Sequence, residues 1–218
     1  LSEERQPIFN APWPAVLATL VIVVGYGFQT LLPQQAVIQA FAFSAMALGA
    51  GRWETLFTAI FLHGSWAHAL MNAGFALAFG TPVARYLGAS VRGALVFLVF
   101  YLVCGGLGNL GFALVDQSPA YVVGASGAVA GLVGGGARIM GGRDGEPGPL
   151  FSPQVISMTI GWVVVNLLLA LVGFAPGLGN AGVAWEAHIF GYAAGLFLID
   201  PAGWLARPRR DAASERDH

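Results

Sequence analysis

The sequence predicts an all-α, polytopic membrane protein, with six transmembrane helices and a first loop lying in the membrane interface. Three observations predict it. Hydrophobic residues make up 56% of the 218 residues and charged residues only 10%, against roughly 25% charged in a soluble domain. Several apolar runs reach the about 20 residues that cross a hydrocarbon core. The arginines collect on one side once those runs are drawn as spans.

The clearest runs are residues 15–32, 94–114 and 155–175. Residues 120–137 form a fourth, rich in glycine. Two weaker runs, from 66 to about 86 and from 185 to about 205, each contain a histidine, and the first also holds Asn72. Polar residues inside a span are costly and usually functional. With a cytoplasmic N-terminus, Arg5, Arg85, Arg92, Arg138, Arg143, Arg207, Arg209, Arg210 and Arg216 fall inside and only Arg52 falls outside. That bias obeys the positive-inside rule, and dropping either weak span would break it.

Residues 1–14 therefore read as a cytoplasmic segment, 15–205 as one membrane domain and 206–218 as a polar cytoplasmic tail. Glu3 and Glu4 outweigh Arg5 ahead of the first run, where a cleavable signal needs positive charge. The stretch 33–65 is long for a loop, which suggests short helices of its own, with Trp53 and Trp66 at headgroup level.

Composition narrows the function. A net charge of −1 and the absence of lysine leave no nucleic-acid footprint. The single cysteine, Cys104, has no partner for an internal disulfide and reads as a small core residue. The 31 glycines suit membrane helices, where small residues let backbones approach closely.

The chemistry has few candidates. In this topology the second, fourth and sixth spans all enter from outside, so His68, Asn72, Ser126 and His188 lie at a similar depth. Asn166 is expected further from the Ser126 level. His68 and Asn72 are four apart and share a helix face. Gly124 and Gly127 leave the Ser126 hydroxyl accessible, and Ala187, Gly191 and Gly195 form a small-residue ridge that would seat the sixth helix against the fourth. A serine needs a base to become a nucleophile, and a neutral imidazole serves. Glu186 points to another face than His188 and Asp200 lies at the far end, so the residues form a Ser/His dyad. His68, Asn72 and the Ser126 backbone N–H are the donors available to an oxyanion. Each residue alone would pass as structural; their joint depth is what points to chemistry.

Zinc held by His63, His68 and His188 is the alternative chemistry, but no cysteine, placed carboxylate or HExxH joins them, so no metal is expected. The G-x-S-x-G elbow of soluble hydrolases is also missing, since position 128 is alanine.

At these residues the chain resembles the rhomboid family of intramembrane serine proteases. His68 to Asn72 resembles the family's H-x-x-x-N, Gly124 to Gly127 its G-x-S-G, and Ala187-His188 with Gly191 and Gly195 its A-H-x-x-G-x-x-x-G. Arg52-Trp53-Glu54 through His63 is similar to its first loop, with arginine and tryptophan in swapped order. The resemblance implies Ser126 as nucleophile, His188 as general base, and His68 and Asn72 in the oxyanion hole. It implies single-span membrane proteins as substrates, entering sideways from the lipid bilayer past the fifth helix and its cap, and no cofactor. Two departures stand out. Ala130 replaces an aromatic residue that in the family stacks on the catalytic histidine, a task another ring such as Tyr192 could take. Ala84-Arg85 replaces a Glu-Arg pair.

A rhomboid-like pseudoprotease, binding membrane proteins without cutting them, is the competing class; such relatives typically lack the serine or the histidine. A channel would need polar residues at every depth. The compact six-span form suggests a bacterial inner membrane. Substrate and oligomeric state are not written in the sequence.

Overall fold

The computed structural model describes residues 10–172 and 182–207. Among them are nine α-helices: α1 (Trp13–Gln29), α2 (Gln34–Phe41), α3 (Ala45–Gly49), α4 (Thr55–Thr58), α5 (Trp66–Leu87), α6 (Val91–Val115), α7 (Ser126–Met140), α8 (Pro153–Val172) and α9 (Trp185–Ala206). Six of these are long and make the bundle of an integral membrane protein. The first loop carries α2, α3, α4 and a 3-10 turn at Ala59–Phe61. Residues 1–9, 173–181 and 208–218 lie outside the described residues, and with them Arg5, Arg209, Arg210, Arg216 and most of the two terminal segments.

Among the described residues, three helices are by length and composition apolar enough to cross a membrane: α6, α8 as far as Leu171, and α9. Their outer faces carry Leu95, Val99, Ile160, Leu168 and Phe197, all well exposed. Apolar surface of that extent on a soluble monomer would mark an interaction site; here its partner is lipid. The fourth run differs from expectation. Its helix, α7, starts at Ser126 rather than residue 120, because Gly124 takes φ +128° and turns the chain just before it. The fifth run begins two residues early, at Pro153.

Side-chain caps fix several starts. Ser65 accepts from the His68 N–H (3.1 Å) at α5, and Ser90 from the Gly93 N–H (3.2 Å) at α6. Cross-links then give the directions. Gln29 ends α1 beside the start of α5, donating to the His63 carbonyl and accepting from its N–H at 2.9 Å each, while Trp13 donates to Ala89 O past the end of α5. Arg92 opens α6 and reaches Leu205 O near the end of α9. So α1 runs against α5, and α6 against α9. Helices α5, α7 and α9 share one direction, since His68 meets Gly124 and Gly80 meets Leu132.

The core is α7, buried from Gly127 to Arg138. Glycine and alanine make up most of it, and its neighbours close on its backbone at the glycines. A Cβ on Gly191 would strike Gly127 O, one on Gly195 would strike Gly131 O, and one on Gly134 would strike Tyr192 O. At the far end Arg138, buried, donates to Leu196 O and to Asp200 (2.8 Å each) and to Gly148 O. Arg85, Arg92 and Arg207 make their contacts at this same end, through Asn10, Leu205 and Glu146.

Gly195→Val should lower the unfolding midpoint in detergent, with about 1–3 kcal/mol lost to overpacking. Gly161→Ala, where nothing lies within 4 Å of the added carbon, should leave the midpoint unchanged or higher. Equal midpoints would mean that the α7–α9 contact does not hold the bundle.

Candidate active site

Ser126 is the first residue of α7, and Ala125 before it supplies no side-chain cap. The first intrahelical bond is Val129 N–H to Ala125 O (2.8 Å), so the amides of Ser126, Gly127 and Ala128 precede the helix's own acceptors. They form the positive end of the helix dipole. Helix length sets the depth of this end. Fifteen residues span about 22 Å at 1.5 Å each, some 8 Å less than a hydrocarbon core of about 30 Å. With its other end level with the arginines, the start of α7 stands recessed from the opposite surface.

Three strands of contact hold the turn before Ser126. Val122 and Phe43 exchange backbone hydrogen bonds of 2.8 and 3.1 Å, Gly124 N–H donates to Ala59 O at 3.0 Å, and Ala125 N–H donates to His63 Nε2 at 3.4 Å. Position 124 has no room for a side chain, since a Cβ would sit 2.7 Å from His68 Cε1 and 3.6 Å from Asn72 Nδ2. The His68 ring thus lies directly over the backbone that leads into the serine. Asn72, one turn further along α5, is buried with Nδ2 unpaired, and His68 Nδ1 is unpaired as well. An unmet buried donor costs about 1–3 kcal/mol, an arrangement found where a ligand supplies the missing acceptor.

His188 lies in the first turn of α9. Its Nδ1 pairs with Asn166 Oδ1 on α8 at 2.8 Å, and Trp162 Nε1 donates to its carbonyl at 3.4 Å. Asn166 therefore reaches the site, contrary to the depth assigned from sequence, because α8 runs against α9 and the helices pair Thr159 with Tyr192 and Asn166 with His188. Tyr192 is turned elsewhere: it stacks on Trp162 at 5.7 Å, and Trp162 is the ring that tilts against His188, at 6.4 Å. Glu186 stays near the site without bonding His188.

A cavity of about 680 Å³ opens among α5, α7, α8 and α9. Ser126, His188, His68, Asn72 and Asn166 all line it, with Met71, Phe75, Val129 and Val165 as apolar walls and Asp116 and Glu186 near the loops. No hydrogen bond joins Ser126 to His188 among the described residues; such bonds are commonly long before substrate binds. The volume suits an extended peptide segment better than a single small ion. Among these residues the sequence offered no signal for Asn166 beyond its being a polar residue in a span.

The family model for the Rhomboid domain matches residues 50–204, more than half of the chain. A curated relative, "Putative rhomboid protease YdcA" of Bacillus subtilis (strain 168), is 29% identical over 150 residues, covering 68% of this chain and 66% of that protein, just under two thirds of its length.

His63 lies in the first loop, buried beneath this site. Burial above all, with His68 nearby, pushes its pKa down to about 3 against a weaker opposing pull from the Phe61 backbone. The folded protein thus keeps His63 neutral while the unfolded chain takes up a proton near pH 6.5. Its contribution to stability is complete above that pH and is lost as pH falls toward 3. Unfolding midpoints between pH 7.5 and 4.5 should fall less in His63→Gln than in wild type; equal falls would contradict the assignment.

Proposed function

The chain belongs to the rhomboid family, and we propose on that footing that it is an intramembrane serine endopeptidase cutting transmembrane-helix substrates with a Ser126–His188 dyad. One observation carries this reading. The serine at the uncapped start of a buried helix, the histidine of α9 and the unpaired Asn72 amide all face one cavity.

Under this reading each group has a role. His188 Nε2 takes the Ser126 hydroxyl proton as Oγ attacks the scissile carbonyl, and the carbonyl oxygen becomes an oxyanion. Asn72 Nδ2, the His68 ring and the Ser126 backbone N–H donate to it, and the positive end of α7 favours its charge. The protonated His188 gives its proton to the leaving amine, which departs and leaves an acyl-enzyme. Water, deprotonated by His188, then releases the acid and restores the hydroxyl.

The substrate is a single-span membrane protein entering sideways from lipid. Helix α8 is the side of the cavity that supports such entry, because its outer face is largely exposed; the cap above it lies outside the described residues. The clustering of Arg85, Arg92, Arg138 and Arg207 at one end favours cytoplasmic termini, with the catalytic end outward in a bacterial cell membrane. The membrane domain is then residues 15–205, between terminal segments 1–14 and 206–218. A pseudoprotease that binds without cutting would have no use for an unpaired Asn72 amide beside an accessible serine.

Cleavage of a single-span substrate in detergent tests the proposal. Ser126→Ala and His188→Ala should each abolish product, and Asn72→Ala should slow its formation by about 10²–10³-fold. Full activity in either dyad variant would refute the dyad.

A further inference from the structure

We infer that Asn166 on α8 is a positioning residue that holds His188 in its reactive tautomer, completing a Ser126–His188–Asn166 chain in place of the aromatic support missing at Ala130. This inference rests on the dyad proposed above.

Asn166 is 1% exposed and sits in the middle of an apolar helix, where an amide needs partners for both ends. It has both. Nδ2 donates to Trp162 O at 2.8 Å, one turn back on α8. That bond permits only one orientation of the amide, with Oδ1 toward α9. Oδ1 stands 2.8 Å from His188 Nδ1. An amide oxygen cannot donate, so Nδ1 carries the hydrogen and donates it. In a neutral imidazole the other nitrogen, Nε2, then keeps its lone pair. This is the tautomer a general base needs, and it is fixed before substrate arrives.

The remaining contacts restrain the ring without choosing a tautomer. Trp162 tilts against it at 6.4 Å and donates to its backbone carbonyl, and Ala130 offers no ring to stack on it. Glu186 and Asp116 line the same cavity, but neither hydrogen-bonds His188 among the described residues. Among the described residues, only Asn166 hydrogen-bonds a ring nitrogen of His188 and so distinguishes the two. The supporting residue also rides on α8, the helix with the most lipid-facing surface around the cavity, so His188 is oriented only while α8 is seated against α9.

The plain structural alternative is that Asn166 glues α8 to α9. Kinetics in detergent separate the two, using wild type, Asn166→Leu and Asn166→Asp on one single-span substrate, with Ser126→Ala and His188→Ala alongside. Leucine keeps the branched shape and heavy-atom count with somewhat larger methyl groups and removes both acceptor and donor; aspartate restores an acceptor on the same atom, and the unfolding midpoints control for the change in packing. Expected are a kcat on the order of 10- to 100-fold lower in Asn166→Leu, with KM little changed, and recovery of most of that loss in Asn166→Asp at matched unfolding midpoints. Wild-type kcat in Asn166→Leu would overturn the inference. So would equal losses in both variants, or a loss that appears in KM and the midpoint alone. If Ser126→Ala and His188→Ala also cleave normally, the dyad itself has failed; if they are inactive while Asn166→Leu is not, only the role of Asn166 has.

Discussion

The glycine face of α7 is the constraint on which the rest of the bundle depends. Gly127, Gly131 and Gly134 let α9 and α6 close onto its backbone, with Gly191 over Gly127 O, Gly195 over Gly131 O and Cys104 over Gly131. Lipid tails are as apolar as leucine, so helices in a membrane gain nothing from hiding apolar surface from one another. They associate through close packing and hydrogen bonds, and a glycine face provides the closest packing available. The same contact fixes chemistry. Because the α7–α9 ridge is locked residue against residue, His188 is held one turn into α9 at the level where α7 begins.

Depth follows from length. A fifteen-residue helix inside a bundle whose other members run to 25 residues must end short on one side. That side is closed by the first loop, through the Phe43–Val122 bridge and the Ala59–Gly124 bond, rather than by more helix. The recess so formed holds the polar groups that the bilayer would otherwise penalise. Several find partners within the protein: His63 Nε2 accepts from Ala125 N–H, Gln29 pairs with the His63 backbone, Asn109 donates to Leu56 O, and Asn166 bonds Trp162 and His188. Among the described residues His63 Nδ1, His68 Nδ1 and the Asn72 amide are left unpaired, and of these residues His68 and Asn72 face the cavity. An unmet donor beside a helix N-terminus suits a site that stabilises a charge present only during reaction.

Much of this was legible in the sequence, for identifiable reasons. The spans were, because apolar length and arginine placement are one-dimensional properties. So was the grouping of His68, Asn72, Ser126 and His188, because three helices entering from one side put their early residues at one depth. Two things were not. The true start of α7 depends on Gly124 adopting a positive φ, which spacing alone does not reveal when several glycines are adjacent. The position of Asn166 depends on the axial offset between α8 and α9. Periodicity gives the face of a helix but not its height, so an asparagine seven residues from the start of a connection of unknown path could not be levelled with His188. The same offset puts Trp162, not Tyr192, against His188.

The central claim is that Ser126 is a nucleophile activated by His188. Mass-spectrometric mapping of the serine that reacts with a fluorophosphonate probe tests it without any need to know the substrate. A single adduct on Ser126 is expected in the folded wild-type protein, and its loss in His188→Ala. An adduct on another serine, or undiminished labelling of Ser126 in His188→Ala, would contradict it.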